Sequence, residues 1–357
     1  LADTFFIAQT HDALQVAAVS LATPVFLLFM AVGTIFGIGG VSVISRAMGE
    51  GRKEYAKKVC SFCMWCCVVI GIIMSVLFLT FMEQILTLVG ASPDTREYAK
   101  TYLVIVSLSG PFVLISNCYS NVIRAEGQSG KAMMGQLIGN LANVILDPIM
   151  ILVFKWDIAG AAIATVIGNV IGAVYYIYYF LRGGSSLSIS LKDFSAKDKI
   201  AYNVLMIGIP AALGSLLMSV SNIIMNAQMT KYGDMAVAGV GVAMKVTMMT
   251  GMVCIGLGQG VQPLLGYCVG AKKWDRYNSA LNFSLLFAFV LSTVLTVICY
   301  IFTNQIVSAF LTNSAAFEYG VTFSRILLST SFLFGVFYVI SNAIQACGAA
   351  TEAFIVN

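Results

Sequence analysis

Residues 158–181 read IAGAAIATVIGNVIGAVYYIYYFL, a run of 24 residues without a charged side chain. A helix needs about 20 predominantly apolar residues to cross the hydrocarbon core of a bilayer, so this run is long enough. A cluster of tyrosines stands at its end, just before Arg182, which is typical of a membrane interface. The stretch therefore predicts a membrane-spanning helix.

The rest of the chain has the same character. Hydrophobic residues make up 59% and charged residues 10% of it, whereas a soluble domain carries about 25% charged residues. The mean hydropathy is +0.91. A buried core helix is too short to explain every apolar run, so we predict an all-α polytopic membrane protein. Its nine spans are predicted at about 14–46, 57–81, 99–124, 131–154, 158–181, 201–229, 235–268, 279–302 and 320–346.

Positive charge predicts which loops face the cytoplasm. One alternate set of loops holds fourteen of the twenty Lys and Arg residues, and the opposite set holds only Arg96, Lys100, Lys155 and Lys231. Short loops that are translocated avoid positive charge. We therefore expect the loops near 50, 127, 190 and 273 to be cytoplasmic. The net charge of +4 is explained by sidedness and gives no reason to expect a nucleic-acid partner.

An internal repeat with a constant offset of 221 residues runs through the chain. Its matches include polar residues and glycines, which chance agreement between apolar segments does not produce. They pair Gly37, Gly39 and Gly49 with Gly258, Gly260 and Gly270, Glu97-Tyr98 with Glu318-Tyr319, and Ser120-Asn121 with Ser341-Asn342. Corresponding helices lie six spans apart, so both copies share one orientation, as in transporters built from parallel repeats.

The repeat also predicts the domain organisation. We expect an N-lobe at 1–182, a cytoplasmic linker at 183–199 and a C-lobe at 200–357, with a central cavity between the lobes. Gly and Ser in the linker suggest a flexible connection. The offset indicates that roughly 20 residues of the first helix and the last two spans are absent, so we expect twelve spans in the intact protein.

Several motifs resemble those of the multidrug and toxic compound extrusion (MATE) family, bacterial branch. They are DTFFIAQ at 3–9, GIGGVSVISRAMGEG at 37–51, NVILDPIMI at 143–151, IAGAAIAT at 158–165 and GLGQGVQPLLGYCVGAKK at 256–273. The resemblance covers essentially the whole chain in the family's order. It implies a two-lobed exporter of twelve helices that alternates access and couples drug efflux to inward flow of H⁺ or Na⁺. It also implies a bacterial inner membrane as the location.

Only two of the sixteen acidic residues fall well inside predicted spans: Asp147, in the span at 131–154, and Asp3, in a partial span predicted at the start of the chain. Ionisable groups in the hydrocarbon are costly, so both are functional candidates. The resemblance implies that Asp3 is a coupling-ion residue. A carboxylate of this kind can take up a proton or, surrounded by oxygens, hold Na⁺, and the sequence does not separate the two. Asp147 has a structural alternative, because it precedes Pro148, which frees a backbone carbonyl.

Further polar residues complete the two candidate sites. Around the acids we expect Asn117, Asn121, Thr165 and Asn169, which form two i, i+4 pairs. In the C-lobe, Lys245 is the only cation predicted at mid-span, and it can line the substrate cavity or pair structurally. The other cavity candidates are Gln262, Asn222, Asn226, Gln228 and Asn342. Interhelical hydrogen bonding is the alternative role for each of these amides.

Other chemistries have little support. Cys60, Cys63, Cys66 and Cys67 lie along one apolar helix, so we expect no metal site. No phosphate-binding GxxxxGK[ST] loop is present, and no cofactor is expected beyond the coupling ion. The predicted function is an antiporter for small organic cations that acts as a monomer in the bilayer. The alternatives are a lipid-linked oligosaccharide flippase of the same superfamily and a membrane-embedded enzyme.

Overall fold

The computed structural model describes residues 7, 13–197, 199–308, 310, 314–349, 352 and 355. Within this part of the chain the regular elements are helices, joined by short turns. They are α1 (Ala13–Gly49), α2 (Lys53–Thr80), α3 (Met82–Leu88), α4 (Pro93–Leu108), α5 (Gly110–Ala125), α6 (Ser129–Pro148), α7 (Asp157–Leu181), α8 (Ile200–Met229), α9 (Asp234–Gly270), α10 (Trp274–Ile301), α11 (Thr303–Ser308), α12 (Ser314–Ser331) and α13 (Phe334–Cys347). A π-helical turn, Ile149–Val153, extends α6.

The helices account for the predicted spans. Seven helices are long and apolar enough to cross a bilayer, and two bent pairs bring the total to nine if each pair counts as one span. The pairs are α4 with α5, bent by 58°, and α12 with α13, bent by 47°. The all-α polytopic fold class is therefore confirmed, but two spans that were predicted as continuous helices are broken.

A proline explains the first of these breaks. Pro111 stands in the first turn of α5 and has no amide hydrogen to continue the helix from α4. The start of α4 is fixed in turn by a capping box, in which Ser92 and Thr95 each accept a hydrogen bond from the other's backbone N–H. The second break, after Ser331, has no proline.

The helix bounds reproduce the repeat. The helices α1 and α9 each have 37 residues, α2 and α10 each have 28, and both bounds of each pair differ by 221. The two bent pairs also break at corresponding places. Because the same polar and glycine positions produce helices with the same start and end, the repeat extends from sequence to structure.

The chain forms two compact units. Unit 1 comprises Leu1–Ala47 and Arg52–Ala212, and unit 2 comprises Met48–Gly51 and Leu213–Asn357. The first turns of α8 belong to unit 1, where the Val204 carbonyl lies against Gly39 and Gly208 lies against the Ile35 carbonyl. The predicted lobe boundary at residue 200 stays a prediction, and the structural division lies inside α8.

The linker residues that the structure describes contact α2. Ser61 Oγ donates to the Ser190 carbonyl at 2.7 Å, and Trp65 Nε1 donates to the Ile189 carbonyl at 3.2 Å. Phe194 stacks on Phe62 with ring centroids 6.0 Å apart. The α2 helix thus supplies donors and an aromatic ring that contact the linker, and the flexibility of the linker stays a prediction.

Candidate functional site

A polar cavity of about 440 Å³ lies inside unit 1, among α1, α4, α5, α6 and α7. Its volume falls in the range of small-molecule sites, roughly 300–1,000 Å³. Amides and hydroxyls stand beside aromatic and thioether side chains in its wall. The lining residues are Val19, Ala22, Thr23, Phe26, Met30, Tyr102, Val113, Ser116, Asn117, Gly135, Gln136, Gly139, Asn140, Asn143, Thr165, Gly168 and Asn169.

A buried carboxylate stands next to this cavity. The side chain of Asp147 is fully buried, and its Oδ1 lies 3.4 Å from Asn143 Nδ2, which donates to it. The same Asn143 amide lies 3.3 Å from Thr165 Oγ1 on α7. Asn143 and Thr165 both line the cavity, so Asp147 is joined to it through these two side chains. A buried carboxylate needs such partners because burial disfavours its charge.

Asn143 was not among the candidate site residues predicted from the sequence, although it stands in the motif at 143–151. It lies four residues before Asp147 and therefore on the same face of α6. Gln136 and Asn140 continue this polar face into the cavity. The i−4 spacing from an acid inside a span was the signal that could have found them.

Glycines bring α6 and α7 close enough to join these groups. A Cβ at Gly139 would lie 2.7 Å from the Gly168 carbonyl oxygen, and a Cβ at Gly168 would lie equally close to the Gly139 oxygen. Small residues allow such close backbone approach between membrane helices. Thr165, on α7, lies within hydrogen-bond distance of Asn143, on α6, across this contact.

Two further predicted site residues line the cavity wall. Asn117 Oδ1 accepts from Thr34 Oγ1 at 3.4 Å, and its amide nitrogen lies 3.4 Å from the Met30 carbonyl. Asn169 donates to the Thr165 carbonyl at 2.9 Å. The structure therefore brings Asn117, Thr165 and Asn169 together around one cavity.

Asn121 occupies a different environment. Its Nδ2 donates to the Asn117 carbonyl at 3.1 Å, and its Oδ1 accepts from Arg124 at 3.2 Å. A Cβ at Gly37 would lie 3.0 Å from Asn121 Nδ2, so the amide packs in the contact between α1 and α5. This geometry favours a structural role, and the predicted coupling role of Asn121 stays a prediction.

Four of the candidates in unit 2 have partners within unit 2. Lys245 is exposed, with its Nζ 5.6 Å above the centre of the Phe310 ring, and Gln228 accepts from Lys231 at 2.8 Å. Gln262 is buried and donates to Gln345 Oε1 at 3.5 Å. Asn342 donates to the Tyr338 carbonyl at 2.8 Å, Asn222 is exposed, and the side chain of Asn226 and all of Asp3 lie outside the described residues.

Comparison with known proteins places the chain in a family. The family model described as MatE matches residues 1–149 and 210–357. The chain is 30% identical over 351 residues to Multidrug export protein MepA of Staphylococcus aureus (strain N315), across 98% of this chain and 78% of the relative. It is 31% identical to the protein of the same name from Staphylococcus haemolyticus, across 98% of this chain and 77% of the relative.

Solved structures give the same answer for the fold. The structure of a multidrug resistance MATE family transporter of the MOP superfamily, in an outward-facing conformation, matches with a TM-score of 0.92 at 24% identity. The match covers 99% of this chain and 79% of that one. The family model and the staphylococcal relatives are those of transporters, which excludes the alternative of a membrane-embedded enzyme. The chain belongs to the MatE family of multi-pass membrane transporters.

Proposed function

We propose that this protein is a secondary antiporter that exports organic cations and related drugs in exchange for H⁺ or Na⁺. Family membership and the names of the two staphylococcal relatives support drug efflux. The observation that carries the coupling proposal is the fully buried carboxylate of Asp147, which accepts a hydrogen bond from Asn143 beside a polar cavity.

The Asp147 cluster has the chemistry of a cation site. Carboxylate, amide and hydroxyl oxygens are the ligands that hard cations prefer, and Asp147, Asn143 and Thr165 supply one of each. A carboxylate in this environment can alternatively take up a proton, which removes the cost of a buried charge. The inward movement of either cation would then be coupled to the state of the cavity. Asp3 remains a proposed partner in coupling through the family resemblance.

The cavity wall suits an organic cation. The rings of Phe26 and Tyr102 and the thioether of Met30 offer cation–π and dispersion contacts. The described lining residues include no Lys or Arg, and a flippase for anionic lipid-linked sugars would need several cations. This cavity is the proposed substrate path within unit 1, and Lys245 remains a proposed substrate-cavity residue of unit 2. The protein is proposed to act as a monomer in the bacterial inner membrane, with the loops near 50, 127, 190 and 273 in the cytoplasm.

Ethidium efflux from energised vesicles tests this function. The wild-type protein would be compared under an imposed proton gradient and an imposed sodium gradient, with the Asp3→Asn variant measured alongside. We expect efflux under one of the two gradients, which identifies the ion, and a strong loss in the variant. Absence of ethidium efflux under both gradients would overturn the antiporter in favour of the flippase.

A further inference from the structure

The carboxylate of Glu126, directly after α5, is held by several donors at once. Ser185 Oγ lies 2.8 and 2.7 Å from its two oxygens, and Ser186 donates from both its Oγ, at 2.9 Å, and its backbone N–H, at 2.8 Å. Tyr179 OH, near the end of α7, adds a bond of 3.2 Å. Hydrogen bonds to an ionised carboxylate are stronger than those between neutral groups. We call this arrangement the Glu126 clasp.

The clasp holds one end of a strap, which we define as residues 185–194. Further along the strap, Leu187 is buried and Ser188 bonds to Asp193. Its far end is fixed to α2 by Ser61, Trp65 and Phe62, as described above. The strap therefore crosses from the ends of α5 and α7 to the side of α2.

The helices that meet at the clasp also build the cavity. Ser116 and Asn117 of α5 and Thr165 and Asn169 of α7 line it, and α6, which also lines it, starts just after Glu126. The turn between α5 and α6 passes through Gly127, whose φ of 77° favours glycine. One carboxylate thus ties the end of α5 to the end of α7, and α6 begins three residues after it.

The clasp is built so that water can release it. Glu126 and Ser185 are only partly buried and Ser186 is exposed. Every contact of the Glu126 carboxylate named above is polar, so water can replace each one. By contrast, the far end of the strap includes an aromatic stack. In the second copy of the repeat the position of Glu126 is taken by Cys347, so this arrangement belongs to unit 1.

We propose that the Glu126 clasp is a releasable anchor that controls how readily the cavity of unit 1 opens at the α5–α6 end. With the clasp closed, the strap holds α5 and α7 together and restrains the start of α6. When it is released, the ends of these helices separate while the strap stays attached to α2. This inference concerns conformation and does not require the proposed antiport to be correct.

Hydrogen–deuterium exchange on the purified full chain tests the clasp without a transport assay. The variants are Glu126→Ala and the double variant Ser185→Ala/Ser186→Ala, which keeps the carboxylate. Matched controls are Glu54→Ala, which removes another acid near a helix end, and Ser195→Ala, which removes another linker hydroxyl. If Glu126→Ala fails to fold, the double serine variant carries the test.

We expect exchange in peptides covering 183–190 and 126–143 to rise about tenfold or more in both test variants, because the clasp closes these segments. Peptides of α9 and α10 and both control variants should match the wild type. Unchanged exchange at 183–190 would overturn the clasp itself. Faster exchange at 183–190 with unchanged exchange at 135–143 would overturn its control of the cavity.

Discussion

The two copies of the repeat keep the same packing and differ in their chemistry. Asn121 and Asn342 occupy corresponding positions, each donates to the carbonyl four residues earlier, and each lies against a glycine, Gly37 or Gly258. Such contacts hold helices together, so duplication preserved them. A polar amide that is found at the corresponding position in both copies is therefore interpreted as a helix-packing residue.

The cavity residues show the opposite behaviour. Thr34 and Asn117, which bond to each other in unit 1, correspond to Ile255 and Tyr338 in unit 2. The polar pair at the cavity has become an apolar and an aromatic side chain. Because the fold is the same, this difference favours a role beyond packing for Thr34 and Asn117 and is consistent with the proposed chemistry in unit 1.

The largest effect is expected at the contact between α6 and α7. Replacing Gly139 by Leu inserts a side chain where the Gly168 carbonyl lies 2.7 Å from a Cβ, so the helices must separate. We expect a loss of about 3 kcal/mol or more in stability, seen as a lower midpoint of thermal unfolding in detergent. The control is Gly130→Leu on the same helix, where a Cβ meets open space. Equal stability of the two variants would contradict this close contact.

The second prediction separates chemistry from architecture. Asn143→Ala removes the hydrogen bond to Asp147, and we expect gradient-driven ethidium efflux to fall about tenfold, since bonds to charged groups are worth about 1.5–3 kcal/mol. Asn342→Ala removes a bond between neutral groups, so we expect about 1 kcal/mol lower stability and unchanged efflux per folded molecule. An equal loss of efflux in both variants would show that the two copies share the chemistry.

A smaller effect is expected from Lys245, an exposed cation of unit 2. If Lys245 lies near the substrate path, its charge repels a cationic substrate. Lys245→Gln should then lower the KM for ethidium about twofold, as expected for one charge roughly 10 Å away in water. The control is Lys231→Gln, in which a lysine bonded to Gln228 is removed. A KM that is unchanged in Lys245→Gln would leave Lys245 with only its contact to Phe310.

The smallest effect concerns the short helix α3. Glu83 accepts from Lys100 at 2.8 Å and from Arg96 at 2.7 Å, and these bonds lower the pKa of its carboxyl. Stability from this group is therefore present above the ordinary carboxyl range and is lost as the pH falls through the lowered pKa. We expect the small difference in melting temperature between the wild type and Glu83→Gln to vanish at low pH and at high salt.

The corresponding position in unit 2 provides the control for that measurement. It is Asn304, which does not titrate, so Asn304→Gln should change the melting temperature equally at all pH values. A Glu83→Gln difference that persists undiminished at low pH would show that the carboxylate charge does not stabilise α3.

Much of the fold could be predicted because lipid imposes simple rules. The length of the apolar runs predicts the spans, and the constant offset predicts the repeat. Both are read from the sequence without knowledge of tertiary contacts. The break between α12 and α13 could not be predicted, because no proline or loop composition marks it. The contacts of the linker could not be predicted for a similar reason, because its partners are distant in sequence: Ser61 of α2 donates to it, and the Glu126 carboxylate accepts from it.

The candidate site could be predicted in part. Asp147 stood out because a carboxylate inside a span is rare, and it lies beside the cavity that Asn117, Thr165 and Asn169 line. The i−4 spacing from Asp147 pointed to Asn143, but its bond to Thr165 depends on the approach of α6 to α7. Tertiary contacts of this kind are not written in the spacing of a single helix.

Gradient-driven ethidium efflux by Asp147→Asn in proteoliposomes tests the central claim most directly. The control is Asp157→Asn, the same change at an exposed residue where α7 begins. We predict that Asp147→Asn still binds ethidium, measured by fluorescence anisotropy, but loses nearly all gradient-driven efflux. The control variant should keep both ethidium binding and efflux. Efflux at the wild-type rate by Asp147→Asn would contradict the coupling role of unit 1.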